Sequence, residues 1–235
     1  MTGSSLLAGL DADGRRRIAV VLESMAAVWI AYFVCAGRVD LPWAWVYVAV
    51  SALSLVLGAL YVLPRNPAAI NERGRASVGQ KPWDRVIVRV YAPLSLGVYV
   101  VAGLDARFGW TGPLPVWVQV LAAVALCLQN GLVYSAMANN PFLSQVVRVQ
   151  LERGHRVAST GPYRWIRHPM YAALLVSWPA QALVFGSLWA LVPGGLAAAV
   201  ILVRTALEDL TLRAELPGYA EYARRVRWRV FPGIW

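Results

Sequence analysis

The residues best suited to chemistry lie in two stretches of the C-terminal half. The first runs from Arg148 to Tyr171 and carries Gln150, Glu152, His155, Arg156, Tyr163, Trp165, Arg167, His168 and Tyr171. The second opens at Arg204 and continues through Glu208, Asp209, Glu215, Tyr219 and Tyr222. Two His with no nearby Cys and only scattered carboxylates make a poor zinc site, so no metal is expected. Tyr163, Trp165 and Tyr171 offer aromatic faces to a cation, Glu208 an acceptor, Gln150 a two-way amide, and Arg204 a fork for a carboxylate. Gly161-Pro162 marks a turn, and Pro169 suits the first turn of a helix, where its missing N–H has no intrahelical partner anyway. His168 and Tyr171 then stand around a helix N-terminus, which favours an anionic group. Plainer readings stand beside these. The first stretch also reads as a basic loop with aromatic anchors. Arg204 and Glu208 also read as an i,i+4 ion pair, and Tyr219 and Tyr222 as packing residues.

The elements that must position these residues are apolar. The 235 residues are 59% hydrophobic and 14% charged, against roughly 25% charged for a soluble domain. Apolar runs cover about Ile18 to Gly37, Trp43 to Leu63, Val86 to Leu104, Leu114 to Ala138 and Met170 to Val192; a sixth starts at Leu196 and runs on past Arg204. Each is near the ~20 residues that cross a bilayer. Pro193-Gly194-Gly195 reads as the turn between the last two, and Pro141 closes the fourth helix. Arg15 to Arg17 before the first run resemble a signal peptide, but the run is too long and lacks a cleavage site, so it is expected to be a span.

Charge supports that division. Of 22 Lys and Arg residues, all but Arg38 and Arg107 fall in the N-terminal tail, between Arg65 and Arg89, between Arg148 and Arg167, or from Arg204 onward. The positive-inside rule is then satisfied by six spans with both termini cytoplasmic, whereas five would leave one basic group outside. The expected fold is all-α, a polytopic transmembrane bundle of about six spans, with a cytoplasmic loop and a C-terminal helix forming a pocket. The net charge of +10 is thus mostly topology, and no nucleic-acid partner is expected. Cys35 and Cys127 lie in apolar runs and read as core residues. Glu23, inside the first run, is either functional or snorkels toward Arg15 to Arg17. Broken midplane helices and repeat symmetry, the marks of a transporter, are not apparent.

Order adds what composition does not. Gly161-Pro162-Tyr163, three residues, then Arg167-His168-Pro169-x-Tyr171, followed by Arg204, Glu208-Asp209, Gly218-Tyr219 and Tyr222, closely resembles the isoprenylcysteine carboxyl methyltransferase family. That family of membrane enzymes is related to phospholipid methyltransferases. The resemblance covers about residues 139 to 235, within a single domain of 1 to 235. It implies that Gln150, His155, Arg156, Val157, Ala158, Tyr163, His168, Pro169, Met170, Tyr171 and Glu208 contact S-adenosylmethionine, leaving S-adenosylhomocysteine as product. It also implies that Arg204 faces the acceptor and that Arg204 and Glu208 are the catalytic pair. The family's Glu-Glu pair is here Glu208-Asp209, and the eukaryotic members have a longer stretch between the Gln and the first His. The implied reaction is methyl transfer to the carboxylate of a lipophilic acceptor, prenylcysteine-like or another lipid acid. A phospholipid amine, or a non-enzymatic membrane scaffold, is the alternative. The Arg- and Ala-rich, compact chain points to a bacterial inner membrane. No Gly-x-Gly-x-x-Gly follows a strand, so a Rossmann cofactor domain is not expected.

Overall fold

The computed structural model describes residues 9–75 and 79–235. Its helices are α1 (Ala12–Ala36), α2 (Pro42–Val62), α3 (Pro67–Gly74), α4 (Pro82–Phe108), α5 (Val116–Asn139), α6 (Pro169–Val184), α7 (Leu191–Glu215) and α8 (Tyr219–Arg225). Two short 3₁₀ turns, Leu151–Arg153 and Gly161–Arg164, punctuate the loop between α5 and α6. Five of the helices, α1, α2, α4, α5 and α7, are long and apolar enough to cross a membrane. The chain is a polytopic helical bundle, as its apolar runs predict.

The starts of the helices follow from local chemistry. Asp11 caps α1 by accepting the N–H of Gly14 at 2.8 Å, so the helix begins before the basic triplet. Proline opens α2, α3, α4 and α6, in the one turn where it deprives the helix of nothing. α6 has 16 residues, about 24 Å at 1.5 Å each. It nonetheless joins the two ends of the bundle, from His168 at the basic end to Ser187 at the other, where Ser187 Oγ donates to Asp105 at 2.5 Å.

The turn between α6 and α7 is not where the sequence places it. Pro193, Gly194 and Gly195 lie within α7. The chain reverses earlier, with Gly186 in the left-handed region at φ 75°. Pro193 is the third residue of α7, where its missing N–H would have had no helical partner, and Gly194 leaves room for Trp178 of α6 to pack. Pro-Gly-Gly here starts a helix rather than ending one.

Inside the bundle, small residues admit aromatic ones. Gly58 of α2 lies under the Tyr134 ring, and Gly103 of α4 abuts the backbone of α1 at Tyr32. Tyr32 stacks on Phe185 at 4.3 Å, and the hydroxyls of buried Tyr47 and Tyr99 meet at 2.7 Å. Close approach through small residues replaces the hydrophobic effect as the packing force where lipid is the solvent. The outer faces are the apolar ones, with Val34 at 69%, Leu53 at 60% and Leu128 at 71% exposed. Cys127 shares that exposed surface and Cys35 is half-buried. The expectation that both cysteines are core residues is therefore corrected, since an apolar run in a bilayer faces lipid as readily as protein.

Candidate active site

Three buried carboxylates build the walls of the site. Asp84, in the first turn of α4, is fully buried. Its Oδ1 accepts from Arg204 Nε at 2.8 Å, and its Oδ2 from the Val147 N–H at 2.9 Å and the Gln80 amide at 3.0 Å. It thereby ties α4 to α7 and to the long loop. Glu72 of α3 is paired with Arg148 at 2.6 Å, Arg153 at 2.9 Å and Arg75 at 3.4 Å, which holds the same loop from the other side. Asp209 of α7 is fully buried and accepts from Arg167 Nε at 2.7 Å, Arg213 at 3.0 Å, Tyr219 at 3.0 Å and Arg229 at 3.2 Å. Arg167, itself buried, also donates to the carbonyls of Val226 at 2.7 Å and Arg227 at 2.8 Å. This draws the C-terminal tail back over α6. Backbone bonds from Arg167 to Trp228 (2.9 Å) and His168 to Arg229 (2.8 Å) complete the strap.

Between these clamps lies a cavity of about 470 Å³. Of the residues singled out in the sequence, His155, Val157, Ala158, Tyr163, His168, Pro169, Met170, Tyr171, Arg204 and Glu208 all line it. Glu208 and Asp209 are sequence neighbours, about 100° apart on the helix, and meet different surroundings. Asp209 is enclosed by three arginines and the Tyr219 hydroxyl. Glu208 accepts from the Tyr171 hydroxyl, and its nearest basic group is His168 Nδ1 at 4.0 Å. Its carboxylate is on the cavity wall with no guanidinium within 4.0 Å. Arg204 does not pair with Glu208 as the i,i+4 spacing allows. It bonds Asp84 and the Gln145 carbonyl (2.7 Å) and lies over the Tyr171 ring at 5.6 Å.

Two of the expected ligands stand outside the lining. Gln150 is fully buried, and its side chain donates to the Phe142 carbonyl at 2.7 Å and accepts from Arg153. It shapes the loop rather than facing the cavity. Arg156 is exposed, and so is Trp165 at 73%. Glu23 is exposed on α1 and lines neither this cavity nor its neighbour.

The loop's polar groups are tuned by burial. His155 stacks on Phe142 at 4.6 Å, and its Nδ1 accepts the Gln150 N–H at 3.2 Å. Desolvation, then the charge of Arg153, pushes its pKa from 6.5 down to about 4, so it is a neutral acceptor at pH 7. Burial raises the Tyr163 and Tyr222 hydroxyls well above their usual range, so both are neutral. Tyr163 accepts from Asn140 at 3.2 Å, and Tyr222 donates to the Tyr163 carbonyl at 2.7 Å.

Sequence reasoning missed the contribution of the first half of the chain. Arg73, Val88 and Tyr91 line the cavity from α3 and α4. Burial, with the like charges of Arg17 and Arg204, brings Arg73 down to about 10, still fully charged at pH 7. A signal for α3 was present: Asn66 caps it through the Ala69 N–H at 3.3 Å, and Pro67 follows at the first helical position. Val88, Tyr91 and Leu174 add apolar lining to the cavity, and Val88 is also 36% exposed.

Comparison with curated proteins found no match. Residues 117–214, which run from the first turn of α5 almost to the end of α7 and include Gln150 to Tyr171, Arg204 and Glu208 but not Tyr219 or Tyr222, match the family model described as phospholipid methyltransferase. This part of the bundle is therefore similar to membrane-embedded methyltransferases.

Proposed function

We propose that the protein is an integral membrane methyltransferase that takes S-adenosylmethionine from the cytoplasm and methylates a lipophilic acceptor. The observation that carries this is Glu208: a carboxylate on a cavity wall, beside the Tyr171 hydroxyl and near the Tyr163 ring, with no guanidinium within 4.0 Å. Such a group is suited to a bound cation, and the cofactor presents an ammonium and a sulfonium. Its remaining parts also find donors and acceptors here. His168, Tyr219, the Asn140 amide and the Arg73 guanidinium surround the same space, and Met170 and Leu174 supply apolar contact.

When bound, the cofactor supplies an electrophilic methyl group for in-line displacement. The residues themselves position and shield. Positioning of two reactants accounts for a large part of such rates, and the clamped loop and C-terminal strap hold the walls of the chamber in place. Arg204, held by Asp84, would orient an acceptor carboxylate arriving from the bilayer past the partly exposed Val88. A carboxylate acceptor needs no base. The family match favours a second acceptor, a phospholipid amine, from which Glu208 would remove the proton.

Calorimetry of S-adenosylhomocysteine binding to detergent-purified protein tests the site. Glu208→Gln should weaken binding by about 10- to 100-fold, the loss of one charge-assisted contact of ~1.5–3 kcal/mol, with unchanged thermal unfolding. His168→Ala should also weaken it. Wild-type protein that binds none would end the methyltransferase reading. With labelled methyl donor and lipid extract, an alkali-labile product identifies an ester and an alkali-stable one the amine.

A further inference from the structure

Beside the main cavity is a smaller hollow of about 80 Å³, walled by Arg16, Arg17, Arg73 and Arg75 together with Val20 and Gln145. It shares Arg73 and Gln145 with the larger one. Four guanidinium groups around so small a space repel one another unless something offsets them. Two are offset from within the chain. Arg16 pairs with Asp13 at 3.3 Å, and Arg75 with Glu72 at 3.4 Å and Asp11 at 3.7 Å.

Arg17 and Arg73 are different. All 12 Asp and Glu residues are described in the structure, and none pairs with either side chain within 4.0 Å. The polar contact of Arg17 is neutral: in the amide orientation that satisfies both groups, the Gln145 oxygen accepts from its Nη2 at 2.9 Å. Both arginines are half-buried. Glycines fix them side by side, because any Cβ on Gly14 would collide with Asn71, and any on Gly74 with the Asp13 carbonyl. The close crossing of α1 and α3 is thus built into the chain, and with it a pair of uncompensated cations.

Position narrows the ligand. Val20, one turn beyond Arg17, is 41% exposed and belongs to the apolar outer face of α1. The hollow therefore lies where the lipid-facing surface ends and the basic end begins, the depth of a phospholipid headgroup. Two adjacent guanidiniums present the donor forks that a tetrahedral oxyanion accepts. We propose that Arg17 and Arg73, joined through the Gln145 amide, bind the phosphate of a membrane phospholipid at the side of the main cavity. The inference rests on the membrane placement of the bundle and not on methyl transfer.

Native mass spectrometry of the detergent-purified full chain decides it, with dioleoyl phosphatidylglycerol as probe and dioleoylglycerol as the same lipid without phosphate. Wild type should retain one phosphatidylglycerol and no dioleoylglycerol. Arg17→Gln and Arg73→Gln should each cut retention about tenfold, the worth of one charge-assisted bond, whereas Arg16→Gln should retain it. Thermal unfolding checks each variant, and Arg17→Gln alone suffices should Arg73→Gln not fold. Equal retention by wild type and Arg17→Gln, or equal retention of dioleoylglycerol, would overturn the proposal. Displacement of the lipid by millimolar inorganic phosphate would make the site one for soluble phosphate and overturn the lipid as occupant. S-adenosylhomocysteine binding on the same samples keeps the two readings apart: lipid retention without it leaves the subsite standing and removes the methyltransferase.

Discussion

The two ends of the bundle both bury carboxylates but arrange them for different purposes. At the end away from the long loop, Asp105 is 3% exposed and accepts from the Thr111 N–H and hydroxyl, both at 2.6 Å, and from Ser187 at 2.5 Å. Its donors are neutral, and it makes no ion pair among the described residues. The result is a closed latch between α4 and the turn after α6. At the basic end, Glu72, Asp84 and Asp209 each engage one or more arginines. Arginines there outnumber the carboxylates available to them, and the surplus is not spread evenly. Glu208 is left without a guanidinium and Arg17 and Arg73 without a carboxylate, all three beside hollows. Neutral satisfaction gives a structural joint, and residual charge of both signs gives a place for a ligand.

The largest effect expected from this contrast is that of Asp209→Ala. It would leave Arg167, with a side chain 2% exposed, without its counter-ion. Breaking a buried pair from one side costs about 3–5 kcal/mol, and the C-terminal strap depends on the same arginine. Denaturant unfolding in detergent should show a loss of that size, together with loss of S-adenosylhomocysteine binding. Asp105→Ala should cost less, about 1–3 kcal/mol for the donors left behind, because Ser and Thr hydroxyls can turn to other partners. S-adenosylhomocysteine affinity should stay at the wild-type value in that variant. A large drop in affinity on losing Asp105 would mean that the two ends are one cooperative unit, and the comparison would fail.

How much of this was legible in the sequence depends on the range of the interaction. The helices were legible because a span must be apolar along its length, and the basic groups mark its ends. The turn at Gly186 was not, because Pro193-Gly194-Gly195 has the composition of a turn and only the packing of Gly194 on Trp178 reveals a helix. Most of the residues expected from ordered motifs do line the cavity, yet their bonds were not legible. Arg204 has a carboxylate four residues away and instead engages Asp84, 120 positions earlier. No local pattern announces that partner. The choice between Glu208 and Asp209 was equally closed to sequence, since it turns on which helix face Arg167 and the C-terminal tail cover. The hollow of Arg17 and Arg73 was hidden because each sits in a basic group that topology alone explains.

The smallest expected effect separates the loop from both ends. His155 is neutral in the folded loop and accepts the Gln150 N–H, so protonation would remove that bond and place a cation beside Arg153. Its pKa falls from 6.5 to about 4 on folding, which sets the sign of the pH dependence. Above pH 6.5 the imidazole is neutral in both the closed and the opened loop, and the closed form carries no penalty. As pH falls, the opened loop takes up the proton first, so closure is progressively disfavoured until both forms are charged near pH 4. S-adenosylhomocysteine affinity should therefore be flat from pH 8 to 6.5 and decline several-fold toward pH 5. His155→Gln keeps an acceptor that does not titrate and should flatten that decline while leaving unfolding at pH 7 nearly unchanged. A decline that persists in His155→Gln would assign the titration to another group and move the pH sensitivity away from this imidazole.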